Sequence, residues 1–215
     1  MGIIRKGILG GFSKKTGPLV GAIYRNQNVI KMVPVKSSKA ATQAQLDQRL
    51  KFGMVSSFLC QISELINTGF ASGKGNLDPM HKAIAFNLAN AIDSGSPDIS
   101  LDLKRIRFSD GKLALPDHAA IEALPGCKVE FSWVDDGVEE EHRAPGDSCT
   151  LLVYNPVKGS FIYHINASTR FEKFFVLPVP DAYAGDTVYC YLSFNSLKNK
   201  RLVSQSLFLG TVLVF

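Results

Sequence analysis

Lys128-Val-Glu-Phe-Ser-Trp-Val134 alternates apolar and polar side chains, with Val129, Phe131 and Trp133 on one side and Glu130 and Ser132 on the other. That period of two is the signature of a half-buried β-strand. The pattern continues towards the C-terminus in Leu151-Leu-Val-Tyr154, Phe161-Ile-Tyr-His164, Phe174-Phe-Val-Leu177, Val188-Tyr-Cys-Tyr-Leu-Ser-Phe194 and Ser206–Phe215. Turn chemistry separates the runs: Asp110-Gly111, Asp136-Gly137, Pro145-Gly146, Asn155-Pro156, Lys158-Gly159 and Gly185-Asp186. Six or seven strands at this spacing predict an antiparallel β-sandwich over residues 97–215, with Trp133 in its core.

Such a sandwich is immunoglobulin- or fibronectin-like, and Gly185-Asp-Thr-Val-Tyr-Cys-Tyr191 resembles the opening of strand F in those folds. Upstream, the period changes. Thr42-Gln-Ala-Gln45 matches a capping box and predicts a helix start. Leu46, Leu50, Met54, Val55, Phe58, Leu59, Ile62, Leu65 and Ile66 follow in steps of three and four, which predicts one continuous apolar face ending at Gly69. Asp78-Pro79 predicts a second start, and Ala83, Ile84, Phe86, Leu88, Ala91 and Ile92 carry that helix to Gly95. Two helices over residues 42–96 read as an antiparallel pair. The boundary to the β-part falls near Asp93–Pro97.

Residues 1–41 are different again. Gly2, Gly7, Gly10, Gly11 and Gly17 give residues 1–18 the character of an extended arm. Leu19–Tyr24 and Val29–Val35 flank Arg25-Asn-Gln-Asn28 and predict a β-hairpin with a four-residue loop. A lone hairpin is marginal in water, so it must pack on the chain or on a partner. The fold class is therefore α+β: a basic arm and hairpin, an antiparallel helix pair, and a C-terminal antiparallel β-sandwich.

Charge is the most informative bulk property. Of the 24 Lys and Arg and 19 Asp and Glu, residues 1–52 hold ten cations but one acid, Asp47, leaving 14 cations and 18 acids for the rest. A first quarter at +9 on a body at −4 implies an anionic partner, either nucleic acid or an acidic protein surface; a solvated basic arm is the plain alternative. The candidate contacts are Arg5, Lys6, Lys14, Lys15, Arg25, Lys31, Lys36, Lys39 and Arg49, with Tyr24 and Phe12 as stacking residues. No helix-turn-helix, zinc-finger or RNA-binding signature accompanies them, so nucleic-acid binding would be non-specific.

Other chemistries find little support. The four cysteines, Cys60, Cys127, Cys149 and Cys190, form no C-x-x-C pair; Cys60, in a helical pattern, and Cys190, in a strand pattern, read as buried thiols, and a reducing cytosol argues against a Cys149–Cys190 bridge across the sandwich. His81, His118, His142 and His164 have no i, i+4 partner histidine. Asp135, Asp136, Glu139, Glu140 and Glu141 beside His142 match no calcium loop and read as a solvated acidic turn, suited to receiving a neighbour's basic arm. There is no G-x-S-x-G elbow, and Gly7-x-x-Gly10-Gly11 lacks phosphate-loop spacing. Hence no catalytic residue, metal or cofactor is expected. A carbohydrate-binding sandwich would need outward tyrosines; Tyr154, Tyr163, Tyr189 and Tyr191 are candidates, although packing accounts for most of them. The N-terminus has no signal-peptide pattern and no run is long enough to span a membrane, so the expected location is cytoplasmic.

Gly7-Ile-Leu-Gly-Gly-Phe-Ser13, Gly17-x-x-Val20-Gly21 and Thr42-x-Ala-Gln-Leu-x-Gln-Arg49-x-x-Phe52 resemble an uncharacterised domain family of Bacteroidota, of similar length. Leu152–Pro156 and Gly185–Val188 extend the resemblance over nearly the whole chain. It implies no activity, cofactor or catalytic residue. A basic hairpin followed by T-x-x-Q-x-x-x-R-x-x-F is also similar to segments of some phage virion proteins. The expected function is a non-enzymatic interaction or assembly protein that docks on a partner, or on itself, through its basic N-terminal region. Non-specific nucleic-acid binding through residues 1–52 is the alternative.

Overall fold

A computed structural model describes residues 2–4, 13–24, 27–35, 39–71, 77–93, 99–135 and 142–215. The chain forms two compact units, Met1–Gln45 and Leu46–Phe215.

In the first unit the hairpin strands are β3 (Leu19–Tyr24) and β4 (Gln27–Met32), flanked by β1 (Gly2–Ile4) and β2 (Lys14–Thr16) in the antiparallel order β1-β4-β3-β2. The expected arm thus contributes two edge strands, because its short apolar and β-branched stretches find partners in β4 and β3. The turn is shorter than expected: Tyr24 pairs with Gln27, so Gln27 and Asn28 lie in the ladder and not in the loop.

The second unit begins with α1 (Gln43–Cys60), which extends back across the boundary between the units. Thr42 precedes its first residue as the capping box predicts, and the Gln45 side chain accepts from the Thr42 N–H at 3.2 Å. The expected single helix to Gly69 breaks at Gln61–Ile62 and resumes as α2 (Ser63–Gly69). Ile62 has ψ of 33°, outside helical values, and is fully buried, so tertiary packing sets the break. Gly69 ends α2 for a reason other than a left-handed cap: a Cβ there would stand 2.3 Å from the Phe108 carbonyl oxygen. Next, α3 (Pro79–Asn90) starts at Asp78-Pro79 as expected. It stops before Ile92, because β5 (Ile92–Asp93) pairs with β6 (Ser100–Leu101) and pulls the chain out of the helix.

Seven strands complete the unit: β7 (His118–Leu124), β8 (Lys128–Val134), β9 (Ser148–Asn155), β10 (Ser160–Thr169), β11 (Phe174–Pro178), β12 (Thr187–Asn195) and β13 (Leu207–Leu213). They form sheets of order β11-β8-β7 and β10-β9-β12-β13, all antiparallel. The two sheets pack face to face as the alternating runs predict, and the Gly185–Tyr191 segment leads into β12, a central strand of the four-stranded sheet. Strand β7 is illegible as a strand in the sequence because three of its seven residues are alanine, a poor strand former.

The alternation of β9 and β12 builds two cores. Val129, Phe131 and Trp133 face Leu151, Val153, Leu192 and Phe194 inside the sandwich. On the opposite face of the same sheet, Leu152, Tyr154, Tyr189 and Tyr191 pack with Phe58, Leu59, Ile62 and Ile66 of the helices. The segments 42–96 and 97–215 therefore share a core, in three layers: helices, four-stranded sheet, three-stranded sheet. A sheet covered on both faces reads as a near-continuous apolar run, as Leu151-Leu-Val-Tyr154 does. The tyrosines considered for carbohydrate contact point out of the sandwich into this helical layer. Phe58 sits edge-on to Tyr154 and Phe161 at 5.0 and 4.9 Å, and the buried Tyr191 hydroxyl donates to Leu103 O.

A buried ion network closes one end of the sandwich. Arg170, 1% exposed, donates from Nη1 to Asp135 Oδ2 and from Nη2 to Ala114 O, both at 2.7 Å. Its Nε lies 3.6 Å from Asp147 Oδ2, and its guanidinium stands 4.1 Å above the Phe194 ring. Asp135 also meets Arg143 Nε at 3.4 Å. The acid expected in a solvated turn is thus buried and paired; the rest of that acidic run, residues 136–141, lies outside the described residues.

All four cysteines are free. A Cys149–Cys190 bridge is ruled out by register: both lie in one sheet, where Cys149 opposes Phe194 and Cys190 opposes Val153. That four-residue offset is about 13 Å along the strand, beyond disulfide reach. Burial pushes the thiols of Cys149 and Cys190 up to about 12; Cys60, expected to be buried, is exposed, because it ends α1 on the side turned away from the sheet-facing Phe58 and Leu59. One thiol per chain is therefore expected to react promptly with Ellman's reagent, and all four after denaturation. A second thiol reacting at the rate of the first would contradict this packing.

Candidate interaction surface

Lys15, Val20 and Lys31 form one row across β2, β3 and β4. Directly opposed residues share a sheet face, so Lys15 and Lys31 flank Val20 on the same side, about 10 Å apart. Strand alternation puts Tyr24, exposed, on that side too. Lys14 belongs to the other face and has a φ of 76°, a left-handed value rare for a side-chain-bearing residue. Neither Lys15 nor Lys31 pairs with an acid among the described residues. Lys39 follows the sheet, and Arg49 stands exposed on α1 in the second unit. Arg5, Lys6, Phe12, Arg25 and Lys36 lie outside the described residues. Of the expected contacts, then, the structure gathers Lys15, Lys31 and Tyr24 on one face and separates Lys14 from them.

The opposite face carries what charge reading missed. Leu19 and Met32 are paired, and Ile23 lies on the same side; Ile23 is 70% and Met32 74% exposed. Val29, paired with Ala22 on the lysine face, is the one buried large apolar side chain among the described residues of this unit. A four-stranded sheet with so little of its apolar surface covered has almost no core of its own.

The first half of α1 is similar. Leu46 and Leu50, expected in the core, are 46% and 52% exposed, and Phe52 is exposed beside them. No residue before Val55 is buried in this helix, so residues 43–54 project past the packed layer. The motif Thr42-x-Ala-Gln-Leu-x-Gln-Arg49-x-x-Phe52 therefore lies on exposed helix. Spacing could not reveal this, because an apolar stripe looks the same whether its cover is its own chain or another.

Among the described residues no three His, Cys, Asp or Glu side chains gather as a metal site, and no helix is long and apolar enough to cross a membrane. The geometry defines an α+β protein whose layered body is accompanied by a small basic sheet. Residues 11–210 match the family of unknown function DUF6266, and the chain belongs to that family. No curated protein matches it.

Proposed function

We propose that this is a non-enzymatic assembly protein that docks through its N-terminal region on a protein surface, a second copy of the chain in the first instance. The observation that carries the reading is the exposed apolar set Ile23, Met32, Leu46, Leu50 and Phe52 in a segment that also carries the chain's excess positive charge. Apolar groups need a cover, and the charge asymmetry favours the mildly acidic body of another copy. Light scattering at low salt is expected to give a mass above the 23.5 kDa of one chain. I23E/M32E and L46E/L50E are each expected to return it to that mass, since a charge in an apolar interface costs several kcal/mol. A wild-type chain that stays monomeric at high concentration, with neither variant altering capture of any protein, sinks the reading.

A second reading is favoured by Lys15, Lys31 and Tyr24 sharing one face, an arrangement suited to phosphates and a stacked base. It predicts affinity for duplex or single-stranded DNA that falls steeply with salt, and a log–log salt slope reduced by roughly 0.7 to 0.9 for each lysine removed. DNA affinity that ignores salt, or survives K15E/K31E, removes it.

A further inference from the structure

Within the second unit, a cleft of about 680 Å³ opens between the end of α2, the start of α3 and the segments 110–112 and 201–205. Clefts of a few hundred to a thousand cubic ångströms are typical of small-molecule sites. Phe70, Phe86 and Leu202 supply apolar lining. Lys82, Lys112 and Arg201 reach it against one carboxylate, Asp110, which already accepts from Arg107 at 3.2 Å.

Its walls are fixed before any ligand arrives. Leu113 N–H donates to Val203 O at 3.0 Å, Ser206 N–H to Ser109 O at 3.0 Å, and Asp110 N–H to Gly69 O at 3.0 Å. Ser109 Oγ donates to Ser204 O at 2.6 Å. Gly111 lies so close to Val203 that a Cβ would stand 2.1 Å from its carbonyl oxygen. Three chain segments distant in sequence are thereby stitched into one rigid rim, the preorganisation that lowers the entropic cost of binding.

We propose that this cleft binds a small organic anion, an aromatic or aliphatic body seated on Phe86 and Leu202 with its phosphate or carboxylate held between Lys112 and Arg201. Charge carries the choice. Lys112 and Arg201 are exposed and make no ion pair among the described residues. Across Phe86 a second depression of about 490 Å³ is lined by Lys104, Arg105 and Arg107. Arg105 pairs with Asp102 at 3.1 Å and Arg107 with Asp110 at 3.2 Å, so cations flank the ring on both sides with two carboxylates offsetting part of their charge. Arg107 stacks on Phe86 at 4.7 Å, which stiffens the divider. The positive excess that remains raises the local concentration of anions and shortens their search.

The site is independent of the N-terminal docking reading, and its test does not depend on assembly. The full chain, labelled with nitrogen-15, is titrated with 1-naphthyl phosphate, 1-naphthoate, 1-naphthol and inorganic phosphate. The two aryl anions are expected to shift the amides of residues 82–86, 110–112 and 201–205 saturably, at one site. Naphthol and phosphate, each lacking half of the recognised chemistry, should bind roughly tenfold more weakly or worse. K112E/R201E should weaken the aryl anions by at least about tenfold while leaving the thermal midpoint near wild type, since both side chains are on the surface. Phosphate binding better than carboxylate identifies a phosphorylated ligand; the reverse identifies a carboxylate. No saturable shift at millimolar probe, shifts mapping elsewhere, or undiminished binding by the double variant overturns the proposal.

Discussion

Arg170→Met is expected to cost about 3 to 5 kcal/mol of folding stability, read as a lower urea midpoint at unchanged slope. Methionine fills much the same volume, so the loss is electrostatic. The substitution leaves Asp135 and Asp147, 3% and 1% exposed, without the guanidinium that neutralises them. Only Asp135 retains a cation, Arg143. It also frees Ala114 O and removes the stack on Phe194. The backbone link survives, since Trp133 Nε1 donates to Arg170 O whatever the side chain. Adding Asp135→Asn and Asp147→Asn removes the stranded charges, and that triple variant is expected to regain a large part of the loss. A loss below about 1 kcal/mol in the single variant would show that the network merely breaks even with an apolar core.

Gly111→Ala is the second large effect. The added methyl carbon would lie 2.1 Å from Val203 O and 2.8 Å from Val203 Cγ2, and the nearest atom is backbone that cannot turn aside. The strand-like contact of Leu113 with Ser204 must open to admit it. Overpacking of this kind costs about 1 to 3 kcal/mol, and the backbone contact places this case at the upper end or beyond. Gly53→Ala is the matched control: it lies in α1, nothing stands within 4 Å, and the change should stabilise the helix by about 0.5 to 1 kcal/mol. Thermal midpoints moving in opposite directions would support both contacts; a neutral Gly111→Ala would mean the 109–113 and 203–206 segments are less tightly joined than described.

These two sites illustrate where sequence reading stops. Arg170 sits in Ser168-Thr-Arg-Phe-Glu172, a short polar run that looks like surface. Its burial follows from Asp135 and Asp147 arriving from loops 35 and 23 residues away in the chain. Gly111 belongs to an Asp-Gly pair and reads as an ordinary turn residue, whereas its neighbour 92 positions later is what forbids a side chain. The same holds for the candidate interface. Cations at 14, 15 and 31 were visible as charge, but which share a face depends on the register of β2, β3 and β4. Leu46 and Leu50 fit a core stripe by spacing, and only the packing of the helix on the sheet shows that the layer begins at Val55.

What the sequence by itself determined is local. The period of two around Val129, Phe131 and Trp133, the Thr42 and Asp78-Pro79 helix starts and the concentration of cations in the first quarter all follow from backbone geometry, capping and composition within a few residues. Tertiary structure alone decided that β9 and β12 bury both faces, that four outward tyrosines lie under helices, and that residues 70, 86, 112 and 201 share one cleft. Those outcomes depend on which distant segments meet. An apolar or charged side chain states what kind of neighbour it needs, and the fold selects which one it gets.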